Sequence, residues 1–271
     1  MALACFCFHE VFLTLQVLLL LFMKELHIFY APDVEQTHEL TSEDSAHAVR
    51  VLRMREDDEV TLTDGKGQLI KARITIASQK HCRVEILEKI GIDIPWHGGI
   101  HIAVAPTKNM DRMEWFAEKA TEIGLDSITF LNCRNSERRI VKTERIEKIV
   151  VAAMKQSHKT WLPKVVGMTD YDIFLSTPFD GEKYIAHCYN AADIHENGDV
   201  CPMETPLLWD KCKPDGHTLV LIGPEGDFSI EEVRKAIAAG FKPISLGKSR
   251  LRTETAALAA VHIMNIKKTY T

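Results

Sequence analysis

From residue 100 onward, short apolar runs alternate with amphipathic helical runs, and no other feature of the chain restricts its fold as much. The pattern predicts strands over 100–105, 128–131, 184–187, 218–222 and 244–246, and helices over 111–123, 143–156, 229–239 and 255–266. Strands separated by helices lie parallel in a sheet covered on both faces, because each crossover helix returns the chain to the same end. The fold class is therefore α/β. Asp111 with Glu114, and Ser229 with Glu232, have capping-box spacing, and Gly124 and Gly240 follow as terminators. Met113, Phe116, Ala117, Ala120 and Ile123 share one helix face; Ile146, Ile149, Val150, Ala153 and Met154 share another. Ligands of such sheets bind outside the carboxyl ends of the strands. That marks 223–227 and 247–254 as the expected site.

Upstream the rhythm differs. Short β-branched segments over 26–30, 59–63, 69–77 and 83–87 are broken by one helical stretch over 43–53. Asp64-Gly65-Lys66-Gly67 is a strong hairpin signal. Short strands with little helix suggest a small barrel, a form that presents a face to oligonucleotides. Gly91-Ile92-Asp93-Ile94-Pro95-Trp96-His97-Gly98-Gly99 is punctuation. A chain of 271 residues suits two domains at roughly 150 residues each, here 23–92 and 98–271. Residues 1–22 stand apart. Val11 to Phe22 is apolar apart from Thr14 and Gln16, too short for the ~20 residues of a comfortable span. No Lys or Arg precedes Lys24, so a secretory signal is not expected either. The segment reads as an upstream extension, with the working protein starting at Met23; a weak membrane anchor is the alternative.

The net charge of −5 excludes a uniformly basic nucleic-acid coat but leaves room for a local patch. From Arg134 to Lys164 nine basic residues (Arg134, Arg138, Arg139, Lys142, Arg145, Lys148, Lys155, Lys159, Lys164) face three acidic ones (Glu137, Glu144, Glu147). Arg50, Arg53 and Arg55 form a second cluster, beside Glu56-Asp57-Asp58-Glu59. A solvated helix face is the ordinary reading of such runs; for 134–142 phosphate contact is favoured. Trp161 can stack on a flipped base, though a core tryptophan is the ordinary reading. The seven cysteines (Cys5, Cys7, Cys82, Cys133, Cys188, Cys201, Cys212) are scattered without metal-ligand spacing, which suits a reducing cytoplasm and no metal site.

Two segments can carry chemistry. Leu219 to Ser229 runs from a buried strand through a turn with two glycines into a capped helix, and glycine lets backbone N–H groups approach a ligand closely. It is neither a Walker loop nor a G-x-G-x-x-G fingerprint. Ile244 to Ala256 runs from a strand through Gly247 into a charged loop bearing Arg250, Arg252 and Glu254, then into an alanine-rich helix.

Leu221-Ile222-Gly223-Pro224-Glu225-Gly226 followed by Leu246-Gly247 and Leu251-Arg252-Thr253-Glu254-Thr255-Ala256 resembles the two closing motifs of the SPOUT methyltransferases. More narrowly it is similar to the RsmE family, the 16S rRNA uridine-N3 methyltransferases. Lys108 to Trp115, Lys119 to Gly124, Ser136-Glu137-Arg138, Gln156-Ser157, His47 to Arg53 and Asp64 to Gly67 extend the likeness from Met23 to Ile266. The resemblance implies a PUA-like β-barrel followed by a trefoil-knotted α/β domain, working as a cytoplasmic homodimer on 16S rRNA in the small subunit, with no membrane role. It implies S-adenosylmethionine as cofactor, held by Leu221, Ile222, Gly223, Glu225, Gly226, Leu246, Gly247, Leu251, Arg252, Thr253, Thr255 and Ala256. Asp227 stands where the family commonly has a second glycine and can cap the following helix. His158 and Lys159 stand where glycine and arginine are common.

A uridine N3 is a poor nucleophile until its proton is lost. Arg252 can stabilise the resulting anion or bind phosphate, and Glu254 or Glu225 can accept the proton; a structural Arg252–Glu254 ion pair is the plainer alternative. RNA contacts are expected from Arg50, Arg53, Arg55, Arg112, Arg134, Arg138, Arg139 and Lys142. Rival functions are a SPOUT ribose 2′-O-methyltransferase, a non-catalytic RNA-binding module, and a membrane-tethered protein.

Overall fold

The computed structural model describes residues 27–189 and 205–270, so the apolar run 1–22 and Cys5, Cys7 and Cys201 lie outside the described residues. The chain forms two compact units. One takes the chain up to Asp64 with Gln68–Ile90; the other takes Gly65–Gly67 with everything from Gly91 onward.

The first unit is a mixed four-stranded sheet of β1 (Ile28–Tyr30), β2 (Glu59–Thr63), β3 (Gln68–Ile76) and β4 (Arg83–Gly91), in that order. β1 runs parallel to β2, and β2 pairs antiparallel with β3. Alternate residues Val60 and Leu62 on β2, and Ile70, Ala72 and Ile74 on β3, turn inward onto Phe29, Val34, Leu40 and Val84. The helix expected over 43–53 is broken. Thr41 caps Ser42–Ala46 by accepting the Asp44 N–H, and the chain then opens into a wider turn, His47–Val51. There Leu52 N–H reaches back five residues to His47 O (3.0 Å), and Arg53 turns left-handed at φ 58°.

The second unit is a six-stranded parallel sheet in the order β10-β8-β9-β5-β6-β7, comprising β5 (Gly99–Val104), β6 (Ser127–Asn132), β7 (Lys164–Asp170), β8 (Glu182–Ala186), β9 (His217–Ile222) and β10 (Lys242–Ile244). β7 and the short helix after it, Tyr171–Ser176, go beyond the sequence expectation; Gly167 interrupts the apolar pattern of this edge strand. Side chains alternate across the sheet. Ile100, Ile102, Val104, Val220 and Ile222 pack with the Met110–Ile123 and Thr253–Tyr270 helices, whereas Ala103, Leu219 and Leu221 pack with Val233 and Ala236 of the Ile230–Ala238 helix. A strand buried on both faces reads as one continuous apolar run, which is why 218–222 shows no alternation in sequence.

Two capping expectations need correction. The Met110–Ile123 helix is capped by Asn109, whose side chain accepts the Asp111 N–H (3.0 Å), not by an Asp111–Glu114 box. Glu114 instead holds Arg145 on the Thr143–Gln156 helix (Arg145 Nε to Oε1, 2.6 Å), tying two helices together. The Ser229–Glu232 capping box forms as expected, so Asp227 is not the cap.

Candidate active site

The carboxyl ends of β8, β9 and β10 open together into a cavity of about 690 Å³. Adjacency in the sheet accounts for this: β8 lies between β10 and β9, so the segments leaving all three strands meet at one edge. Residues 186–189, 222–227, 244–247 and 249–253 line it, with Ala256 and Arg112. Of the residues expected at the cofactor, Ile222, Gly223, Glu225, Gly226, Leu246, Gly247, Leu251, Arg252, Thr253 and Ala256 are brought to this wall. Leu221 and Thr255 are not. Leu221 is fully buried on the opposite side of the sheet from Ile222, and Thr255 is exposed on its helix.

The glycine turn after β9 is built tightly. Asp227 N–H closes it on Pro224 O (2.9 Å), and Asn135 Nδ2 donates to Asp227 O (3.1 Å) from a neighbouring loop. A Cβ on Gly223 would stand 3.0 Å from Phe228 N and Cδ2, so glycine is needed for close approach. Asp227 adopts φ 63°, the left-handed region in which glycine is common and aspartate is tolerated. Its carboxylate accepts the N–H groups of Phe228 and Cys188, each at 2.8 Å, and so joins the β9 turn to the segment leaving β8. The second loop turns at Gly247, φ 123°, pinned by Ser245 Oγ, which accepts the Gly247 N–H (3.1 Å).

The three residues expected to be catalytic fall into different settings. Arg252 is exposed and lines the cavity. Glu225 also lines it, with Oε1 accepting Lys108 N–H (2.9 Å). Arg138 Nε and Nη2 both donate to Lys108 O, at 2.9 and 2.7 Å. Lys108, Arg138 and Glu225 thus form one brace between three loops. Glu254 is buried and away from the wall; its Oε1 lies 3.8 Å from Arg112 Nε, and its Oε2 is buried without a hydrogen-bond partner. The ion pair considered for Arg252 is therefore made with Arg112.

Arg250, singled out with its charged loop, lies on the wall as well, whereas His187, Cys188 and Tyr189 line it without having been expected there from the sequence. The strand 184–187 was legible, but that its end lies between two distant loops was not. Burial holds the His187 imidazole below the usual histidine range, outweighing Asp227 and the Tyr189 backbone, which favour its protonation.

A family model described as an RNA methyltransferase domain matches residues 95–265. The chain belongs to the RNA methyltransferase family. A second model, an RNA methyltransferase PUA domain, matches residues 40–87. The chain is 40% identical to a probable rRNA methyltransferase of Porphyromonas gingivalis, whose crystal structure superposes with a TM-score of 0.81 over 90% of this chain and 98% of that one. It is 28% identical to the ribosomal RNA small subunit methyltransferase E of Neisseria gonorrhoeae, solved bound to S-adenosyl methionine (TM-score 0.69; 88% and 95% covered). A protein of the same description from Buchnera aphidicola is 29% identical over 84% of this chain and 87% of its own.

In this RNA methyltransferase the basic residues divide by what already holds them. Arg134 pairs with Glu231, Arg145 with Glu114, and Arg138 with the Lys108 carbonyl. Lys159 Nζ donates to Glu122 O (2.7 Å) and its ammonium is held below the usual lysine range by burial. His158, where the family commonly has glycine, adopts φ 54° just past the Thr143–Gln156 helix, the usual place for a left-handed residue. Arg139 has one bond, to Asn132 Oδ1 (3.2 Å), and Lys142 is exposed at the start of that helix. Arg50, Arg53 and Arg55 are exposed in the first unit, and Arg112 is half-buried at the cavity. Trp161 is 37% exposed; its indole N–H donates to Ile92 O (2.8 Å) and its ring covers Gly67. No helix among the described residues is long and apolar enough to cross a membrane.

Proposed function

We infer that the protein transfers a methyl group from S-adenosylmethionine to N3 of a uridine in small-subunit 16S rRNA. The observation that carries the reading is the cavity, where the two loops of the resemblance, after β9 and β10, meet on either side of the β8 end. The relatives described as ribosomal RNA small subunit methyltransferase E, one of them bound to S-adenosyl methionine, support the same substrate and cofactor. The match to the PUA model favours this reading over a ribose 2′-O-methyltransferase.

The residues present fit the cofactor. Gly247 leaves open space where a side chain would stand, and the cavity falls in the range of small-molecule sites, roughly 300–1,000 Å³. When bound, the cofactor supplies an electrophilic methyl on a sulfonium. The chain's own part is to hold the uracil ring in line and remove its N3 proton. Arg252 stabilises negative charge on the uracil carbonyls as that proton leaves. Glu225 is the better placed proton acceptor, because it lines the cavity with Oε2 left over, whereas Glu254 is buried behind Arg112. Arg139 and Lys142 are the phosphate contacts best able to serve in the second unit, and Arg50, Arg53 and Arg55 in the first. A trefoil knot at the β8, β9 and β10 loops, a closed barrel in the PUA-like unit, a homodimer and a cytoplasmic location belong to the same reading.

The test is transfer of labelled methyl to small ribosomal subunits lacking the modification, with nucleoside analysis of the product. Label on uridine N3 is the expected result. Label on a ribose, or on another nucleobase, overturns the acceptor assignment.

A further inference from the structure

A buried polar atom without a partner has lost its hydration uncompensated, and is kept where something else offsets the loss. Among the described residues, His187 is the side chain with both ring nitrogens in that state. It stands at the end of β8, between the turn after β9 and the loop after β10, and the residue lines the cavity. Of the neighbouring polar groups, the Tyr189 backbone favours the ring's protonated form without reaching hydrogen-bond geometry, and the others are engaged elsewhere. Asp227 Oδ1 and Oδ2 accept backbone N–H groups, and the Tyr189 hydroxyl donates to Phe228 O (2.7 Å). The Tyr189 ring lies 6.1 Å from the imidazole, tilted by 40°, and fixes one of its sides.

We propose that His187 is a cofactor-binding residue, its uncharged imidazole donating one hydrogen bond to, and accepting one from, the nucleoside portion of the bound cofactor. This rests on the cofactor reading given above. A neutral imidazole offers one donor and one acceptor, and ribose hydroxyls and the adenine edge each offer both complements. The charged amino-acid end of the same cofactor asks for an ion instead, and burial disfavours the charged form of this ring. Arg250 on the same wall is better suited to a carboxylate.

The experiment is calorimetric titration of wild type, His187→Ala and His187→Gln with S-adenosylhomocysteine and with 5′-methylthioadenosine, which keeps the nucleoside and lacks the amino acid. His187→Ala should weaken both ligands by a similar factor, at least tenfold (about 1.4 kcal/mol), with His187→Gln in between. Equal affinity of His187→Ala and wild type for both ligands overturns the proposal and leaves the cofactor reading standing. Weakening of S-adenosylhomocysteine alone overturns the nucleoside assignment. Failure of wild type to bind S-adenosylhomocysteine sinks the cofactor reading itself. If His187→Ala does not fold, the wild-type imidazole resonances decide: the ring nitrogens should shift on adding 5′-methylthioadenosine and stay neutral, and unmoved resonances overturn the proposal.

Discussion

At the scale of single residues, Asp227 shows how a departure from a family pattern is absorbed. A glycine there would reach φ 63° without strain; aspartate reaches it by using its carboxylate on Phe228 and Cys188 N–H. Asp227→Ala keeps the strained backbone and deprives the part-buried Phe228 N–H of its acceptor, so a loss of about 1–3 kcal/mol in urea denaturation is expected. Asp227→Asn tolerates the same backbone and keeps part of the bonding, so it should lose less. An alanine variant as stable as wild type would show that the bridge between the two loops does not matter. His101 offers a second test at this scale. It lies near the start of β5, its Nδ1 2.8 Å from Ser127 Oγ and its Nε2 3.1 Å from His217 Nδ1. Burial lowers its pKa from 6.5, helped by His217 and Lys268 and opposed by Asp126. The unfolded chain therefore takes up this proton first as pH falls. The contribution of His101 to stability is present above about pH 6.5 and is lost as pH drops through the folded-state value. His101→Gln should flatten the wild-type decline in urea midpoint between about pH 7.5 and pH 5; an unchanged slope would remove His101 from the account.

Helices and strands were legible where one periodicity dominated. Thr143–Gln156 and Glu59–Thr63 have the expected ends because each has one buried side and one wet side, and sequence alone reveals that contrast. Legibility failed where an element's partner was remote. β7 is an edge strand interrupted by Gly167 and defined by pairing with β6. The 43–53 stretch reads as one helix by composition, yet it widens at His47–Val51 as Ala48 packs into the first unit's core. Asn109, not Asp111, caps the Met110–Ile123 helix, because the helix already begins at Met110 and Asp111 lies inside its first turn. Asn109→Ala should accordingly lower stability by about 1 kcal/mol, read as a urea-midpoint shift, while Asp111→Ala should cost less. Equal losses would restore the Asp111 box.

For the whole molecule, the separation of committed from available cations predicts how RNA is held. Arg139→Ala with Lys142→Ala should weaken RNA binding and reduce the salt dependence of log K by about one unit for each phosphate no longer neutralised, leaving cofactor affinity unchanged. Arg138→Ala should instead disturb the cavity through Lys108 and Glu225, and so weaken the cofactor. The reverse pattern would show that these hydrogen bonds do not govern function. The sequence by itself determined the α/β class, the two glycine loops and most of the residues that line the cavity, because strand–turn–helix signals and an ordered set of motifs are local and survive without neighbours. Only the tertiary structure decided that β8 lies between β10 and β9, and hence that His187 joins the site, that Leu221 faces away from it, and that Glu254 serves Arg112 rather than Arg252. Those facts depend on strand order and on which face of the sheet a side chain leaves, and neither is encoded within the span of residues that a local pattern can read.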